Sequence, residues 1–208
     1  RDLVRSRGLG DVYKRQVKAR YDALMHQVTD VEESRNELTR MISKLSAQMR
    51  EIFSDSFRAI NENFGRVFTE LFGGGKAELL LEDPHDVLEC GIDIKVQPPG
   101  KNVQNIDLLS GGEKGLSAIA LLFAILKVTP SPFCIFDEVE AALDDVNVTR
   151  YAQYCRRMTR STQFILITHR RGTMEEADVL YGITMQEEGV SKMLELKTAE
   201  MAKKLGIG

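Results

Sequence analysis

From Val17 the apolar positions alternate in steps of four and three: Val17, Tyr21, Leu24, Val28, Val31, Arg35, Leu38, Ile42, Leu45, Met49 and Ile52. Ten of these eleven are apolar, Arg35 being the exception. A seam sustained over about five heptads predicts a coiled coil rather than a helix lying on a globular surface. An amphipathic helix on a bundle is the plainer alternative. The coil is preferred because no glycine or proline interrupts Val17–Asn63. At ~1.5 Å per residue the seam runs roughly 54 Å. After Met49 the apolar register slips onto Phe53, Phe57, Ile60, Phe64, Phe68 and Leu71, which locally unwinds a supercoil. The aromatic enrichment marks the helix entering a packed core, and Gly73-Gly74-Gly75 reads as its flexible exit.

Beyond the glycines the period shortens. Ala77–Glu82 and Ile92–Gln97 read as strands joined by a turn at Asp83-Pro84-His85-Asp86. A helix is expected from Gly111 to Val128, a short buried strand at Phe133–Phe136 and a helix from Asp144 to about Arg160. Another buried strand follows at Phe164–Thr168, then two more at Val179–Met185 and Lys192–Leu196. Strands alternating with helices predict an α/β fold with a mostly parallel sheet. The expected organisation is a disordered or non-native basic end over 1–16, a coiled-coil arm over 17–72, a lobe over 73–198 and a tail over 199–208. The start at Arg1 rather than Met reads as a fragment.

Composition changes this picture little. Hydrophobic residues make up 43% and charged residues 28% of the 208 positions, a globular balance. The formal net charge of −3 gives no global argument for nucleic-acid binding, although a local basic patch remains possible. Cys90, Cys134 and Cys155 fall in no metal or disulfide spacing, which suits a reducing cytoplasm. The apolar run Leu116–Val128 is too short to span a bilayer and reads as a buried helix.

Three constellations carry candidate chemistry. In Leu109-Ser110-Gly111-Gly112-Glu113-Lys114, Ser110 and Glu113 form an S-x-x-E capping box, and a helix start alone would explain them. Two consecutive glycines in a first turn are nonetheless poor helix formers. They allow close approach to bare N–H groups, an arrangement suited to phosphate. In Pro132–Glu138 an apolar strand delivers Asp137 and Glu138 at its carboxyl end, where ligands bind in open parallel sheets. Mg²⁺ bridging nucleotide phosphates is a natural partner for Asp137, leaving Glu138 to polarise a water. Both could equally face solvent or cap the next helix. Phe164–His169 is a second apolar strand ending on a polar residue. A lone histidine is usually structural, but placement of His169 at the same sheet edge links it to the same ligand.

Together these residues resemble the ABC-type ATPases. Ser110-Gly111-Gly112-Glu113 looks like the signature motif, Asp137 and Glu138 like the Walker B aspartate and catalytic glutamate. Ala142-Leu143-Asp144 looks like the D-loop, and His169 like the switch histidine. About 25 residues separate the signature from the Walker B pair. The words Asp137-Glu138-Val139-Glu140-Ala141-Ala142-Leu143-Asp144-Asp145, Thr168-His169-Arg170-Arg171-Gly172-Thr173-Met174-Glu175-Glu176-Ala177-Asp178 and Leu180-Tyr181-Gly182 are similar to the SMC (structural maintenance of chromosomes) family, bacterial chromosome-condensing branch. The resemblance covers roughly residues 17–198, with one departure at Gly115, where alanine is expected.

Nothing in the chain fits G-x-x-x-x-G-K-[ST]. In the family that Walker A loop sits in the amino-terminal half of the same polypeptide, brought close by a folded-back arm. The resemblance therefore implies the carboxy-terminal half of an ATPase head. ATP and Mg²⁺ are its cofactors, with Ser110, Gly111, Gly112, Glu113 and Asp144 at nucleotide, Asp137 on the metal, and Glu138 and His169 catalytic. The implied partners are the amino-terminal half, a second head engaged through ATP, a kleisin subunit and DNA, with a cytoplasmic, nucleoid-associated location. Rival readings are a DNA-repair relative of the RecN or Rad50 type, and a non-catalytic coiled-coil dimerisation module.

Overall fold

The computed structural model describes residues 2–101, 105–187 and 189–197. The expected tail at 199–208 lies outside the described residues, as does Arg1 of the expected basic end.

Helix α1 spans Asp2–Phe72. Its first turns replace the disorder expected of residues 2–16. Extending an existing helix is far easier than nucleating one, so a weak stretch beside a long strong one is carried with it. The chain divides into two compact units, the first ending at Phe53 and the second beginning at Ser54. Within the first, the apolar seam residues from Val17 to Ile52 stand 49–68% exposed.

The second unit opens with the aromatic register of α1. Phe64, Val67, Phe68 and Leu71 are buried, and Phe68 stacks on Phe72 at 4.1 Å. The glycines that follow form a defined turn rather than a flexible exit. Gly73, Gly74 and Gly75 all have positive φ, and the Gly74 N–H donates to the Thr69 carbonyl at 3.0 Å. Arg150 closes the helix end by donating to the carbonyls of Leu71 and Phe72 at 3.3 and 3.1 Å. A cation here satisfies the unpaired carbonyls and opposes the negative end of the helix dipole.

Strands β1 (Lys76–Leu81) and β2 (Ile92–Gln97) pair antiparallel. Helix α2 (Gly111–Val128) leads to β3 (Phe133–Asp137), and α3 (Asp145–Met158) to β4 (Gln163–Ile167). A short helix α4 (Arg171–Glu175) precedes β5 (Val179–Glu187) and β6 (Val190–Lys197), which pair antiparallel. The α/β class is as expected, but the mostly parallel sheet is not. Among the described residues there are three two-stranded sheets, and only β3–β4 is parallel. The cause lies in the connections. Helix α3 provides the crossover that parallel strands need, whereas the other two pairs are joined by short links that bring strands back antiparallel.

The core gathers around Phe123 of α2. Its ring lies 4.8 Å from that of Tyr154, 6.1 Å from Tyr151 and 6.2 Å from Phe136. Burying an apolar ring such as that of Phe123 or Phe136 stabilises the fold by ~1.5–3 kcal/mol. On β3 and β4 only one face reaches this core, through Cys134, Phe136, Phe164 and Leu166. Phe133, Ile135, Ile165 and Ile167 on the other face are 46–58% exposed. The two strands expected to be buried are thus covered on one side, because successive side chains point to opposite faces.

Candidate functional site

The start of α2 is built by the capping box. The Glu113 N–H donates to Ser110 Oγ at 3.4 Å, and the Ser110 N–H donates to Glu113 Oε2 at 3.1 Å. The Ser110 hydroxyl also donates to Glu113 Oε2 at 3.0 Å. Sequence reasoning missed a third member: Lys101 Nζ donates to both Glu113 oxygens at 2.9 and 3.0 Å. That ammonium, with the Ser110 N–H and hydroxyl, holds the Glu113 carboxyl below its ordinary range against the opposing effect of burial.

The two glycines do different jobs. A Cβ on Gly111 would meet nothing within 4 Å, so its backbone stays open to an approaching group. A Cβ on Gly112 would lie 3.0 Å from the Ala142 carbonyl oxygen. Gly112 is therefore accounted for by contact with the segment leading to Asp144. Asp144 itself caps α3, accepting from the Asn147 N–H at 2.9 Å and from Asn147 Nδ2 at 3.0 Å.

The carboxyl ends of β3 and β4 lie side by side, with Asp137 opposite Ile167. The Glu138 N–H extends the ladder by donating to the Ile167 carbonyl at 3.0 Å. Glu138 takes φ = 47°, the one left-handed non-glycine among the described residues. Such a conformation costs ~1–3 kcal/mol and persists only where its surroundings enforce it. It leaves the side chain 3.2 Å from His169 Nδ1, with both groups more than half exposed. The structure thus brings Glu138 to His169 and Gly112 to Ala142. No hydrogen bond among the described residues joins Ser110 to Asp137, Glu138 or His169.

Asp137 is exposed beside this pair. Among the described residues no three metal-ligating side chains cluster. A single exposed carboxylate suits Mg²⁺, which keeps several waters and binds through one or two carboxylates plus phosphate oxygens.

A further feature escaped the sequence reading. The carboxylate of Glu140, 2% exposed, accepts hydrogen bonds from the hydroxyls of Thr168 and of Thr173, the latter at 3.0 Å. Arg170 reaches back to the Leu143 and Ala141 carbonyls at 2.6 and 3.4 Å. An acid set among Val139, Ala141, Ala142 and Leu143 was the available signal.

Residues 12–192 match the family model described as RecF/RecN/SMC N terminal domain. The chain belongs to the SMC family. The description speaks of an N-terminal domain, against the expectation of a carboxy-terminal half. The "Chromosome partition protein Smc" of Bacillus subtilis (strain 168) is 56% identical over 184 residues, 88% of this chain. That of Myxococcus xanthus (strain DK1622) is 44% identical over 185 residues. The chain spans only 16% and 15% of these two relatives. Among solved structures, the Smc head domain of Pyrococcus furiosus, with an extended coiled coil and bound to the C-terminal domain of ScpA, superposes with TM-score 0.73. It is 38% identical, the match covering 91% of this chain and 48% of that one. An Smc head bound to the C-winged helix domain of ScpA gives TM-score 0.65 and 44% identity over 71% of this chain and 45% of that one. A third match, from a structural study of ATP-driven dimerization and DNA-stimulated activation of SMC ATPases, gives TM-score 0.68 and 41% identity, covering 76% of this chain and 95% of that one. The SMC head fold, with its long helix and small sheets, is therefore shared at substantial identity.

Proposed function

We propose that this chain is the carboxy-terminal half of an SMC ATPase head, which binds and hydrolyses ATP once joined to the amino-terminal half. The observation that carries the proposal is the β3–β4 pair. Parallel strands are normally covered on both faces, and a two-stranded sheet is marginal alone. Here one face is apolar and open, through Phe133, Ile135, Ile165 and Ile167. A second half supplying strands and a covering layer answers both needs. The coverage of two Smc head chains at 45% and 48% supports about half a head. The order signature, Walker B pair, D-loop and switch histidine, without a G-x-x-x-x-G-K-[ST] loop, supports the carboxy-terminal half over the N-terminal domain of the family model's description.

On this reading ATP sits on a phosphate loop supplied by the other half. Asp137 holds Mg²⁺ directly or through water, and that ion offsets charge on the phosphates when bound. Glu138 orients the attacking water, with His169 Nδ1 fixing its carboxylate. Ser110 and the open N–H groups at Gly111 receive the γ-phosphate of a nucleotide held by a second head, so that ATP joins two heads and hydrolysis parts them. To do so the Ser110 hydroxyl turns away from Glu113 Oε2. Two head neighbours carry a bound ScpA domain, which supports a kleisin-type subunit as partner. DNA is the further partner, in chromosome condensation and segregation, at the nucleoid in the cytoplasm.

The test is Glu138→Gln in the complete head. Hydrolysis should stop while ATP binding persists, and ATP-engaged dimers should accumulate on size-exclusion chromatography. Turnover at the wild-type rate would remove Glu138 from this role.

A further inference from the structure

The contact between Glu138 and His169 is too exposed to hold itself together. Both side chains are more than half in water, where an ion pair contributes little. Yet their separation is 3.2 Å, and Glu138 is held in a left-handed conformation. Something behind the pair must fix it.

Glu140 is the only buried carboxylate among the described residues. Burying a carboxylate is expensive unless it is hydrogen-bonded, so a position needed only for packing is better served by an apolar side chain. Both hydroxyls that satisfy Glu140 come from the segment around His169: Thr168 immediately precedes it, and Thr173 lies in α4. The Thr168 hydroxyl also accepts the Arg170 N–H at 3.0 Å, closing the turn that carries His169. The Arg170 guanidinium then returns to the segment after Glu138, through the Leu143 carbonyl at 2.6 Å and Asp145 at 3.6 Å. The turns after β3 and β4 are therefore clasped twice, once by a buried carboxylate and once by a guanidinium. Glu138 and His169 are the side chains presented in front of that clasp.

We propose that Glu140 is a positioning residue, which through Thr168 holds His169 against Glu138. The proposal rests on the hydrolytic role given to Glu138 above. Glu140 is buried and bonded to Thr168 and Thr173, so its loss should appear in kcat and leave KM nearly unchanged.

Glu140→Leu risks the fold, so Thr168→Val carries the test. Valine keeps the shape and removes the donor to Glu140, together with the acceptor for the Arg170 N–H. The variants are made in a full-length SMC protein carrying this chain as its segment, and assayed well below their melting temperatures. Thr168→Val should lower kcat about tenfold or more, since small misplacements near a reacting group are costly, while KM for ATP stays within about twofold. Thr168→Ser, which restores the hydroxyl, should recover kcat. In a His169→Ala background Thr168→Val should add no further loss, because its effect passes through that histidine. The proposal is overturned if Thr168→Val turns over normally, if Thr168→Ser is equally impaired, or if the Thr168 and His169 losses multiply. Glu138→Gln separates the two levels. Its normal turnover would overturn the hydrolytic reading itself, whereas a dead Glu138→Gln beside a normal Thr168→Val overturns only the positioning role.

Discussion

Ser110 has two readings, and the structure satisfies the bland one completely: both arms of the capping box are made. A cap alone predicts that Ser110→Ala costs ~1 kcal/mol and spares ATP-driven association. Aspartate is an equally good cap, so Ser110→Asp should keep the helix start. If Ser110 meets a γ-phosphate, that carboxylate faces a like charge and head engagement should be lost from a well-folded protein. Thermal melts and ATP-dependent dimerisation on both variants decide it, and a Ser110→Asp head that still dimerises sinks the phosphate role. The cap was legible because its members lie three residues apart. Lys101 was not, because its contact with Glu113 spans 12 positions. Lys101 depresses the Glu113 carboxyl, and a depressed acid stabilises the fold above its unfolded pKa and loses that contribution as pH falls through its folded one. The wild type should therefore melt above Lys101→Met at neutral pH. The gap should begin to narrow as pH drops through the ordinary glutamate value of 4.5 and close only below the depressed folded value. A gap unchanged through that range would mean that Lys101 acts by packing alone. Glu140 stood out as an acid among apolar neighbours, but its partners did not, because its donors lie 28 and 33 residues away.

At the scale of elements, periodicity carried the reading where one pattern ran long. The helix bearing the seam, the aromatic register after Met49 and helix α2 emerged as expected, because a long apolar repeat leaves a legible trace, although the seam itself stands exposed. It failed where sequence pattern is silent. Helix α4 has only five residues, too few to show a period. Strand partners are set by connections, so a run of apolar strands did not reveal that two pairs are antiparallel. The glycine exit from α1 was seen as a break but not as a built turn. At Gly75, φ is +86° and a Cβ would lie 2.3 Å from the Gln97 carbonyl oxygen, a backbone atom that cannot swing away. Gly75→Ala should thus cost about 2 kcal/mol or more, from left-handed strain plus the clash. Gly115, the one departure from the family words, is the control. Its Cβ would meet only side-chain carbons at 3.7 and 3.8 Å, an ordinary contact. Gly115→Ala should stabilise by ~0.5–1 kcal/mol through better helix propensity. Urea denaturation of both variants checks the pair, and equal effects would show that the turn at Gly75 is not what the backbone geometry implies.

At the scale of the molecule the polar edge and the apolar face of the β3–β4 sheet point the same way. Asp137, Glu138 and His169 stand at one end of a sheet that has a covered face and an open one. The β5–β6 pair adds further apolar exposure: Tyr181, Ile183, Met185 and Met193 are 55–68% exposed. Contiguous apolar surface of this kind marks an interface in a folded protein and an aggregation hazard in an isolated piece. The groups proposed for hydrolysis meanwhile have no phosphate-cradling loop in this sequence to bring a nucleotide to them. Two consequences should therefore appear together in the purified chain. It should bind an apolar dye such as anilinonaphthalene sulfonate and self-associate as its concentration rises. It should also neither bind ATP tightly nor hydrolyse it. Adding the amino-terminal half of an SMC head should reverse both, suppressing the dye signal as the faces are covered and restoring turnover as the phosphate loop arrives. The pairing of the two readouts is what discriminates. A structural dimerisation module would lose its dye signal on finding a partner but gain no turnover, whereas robust turnover by the isolated chain would show that its catalytic site is not split at all.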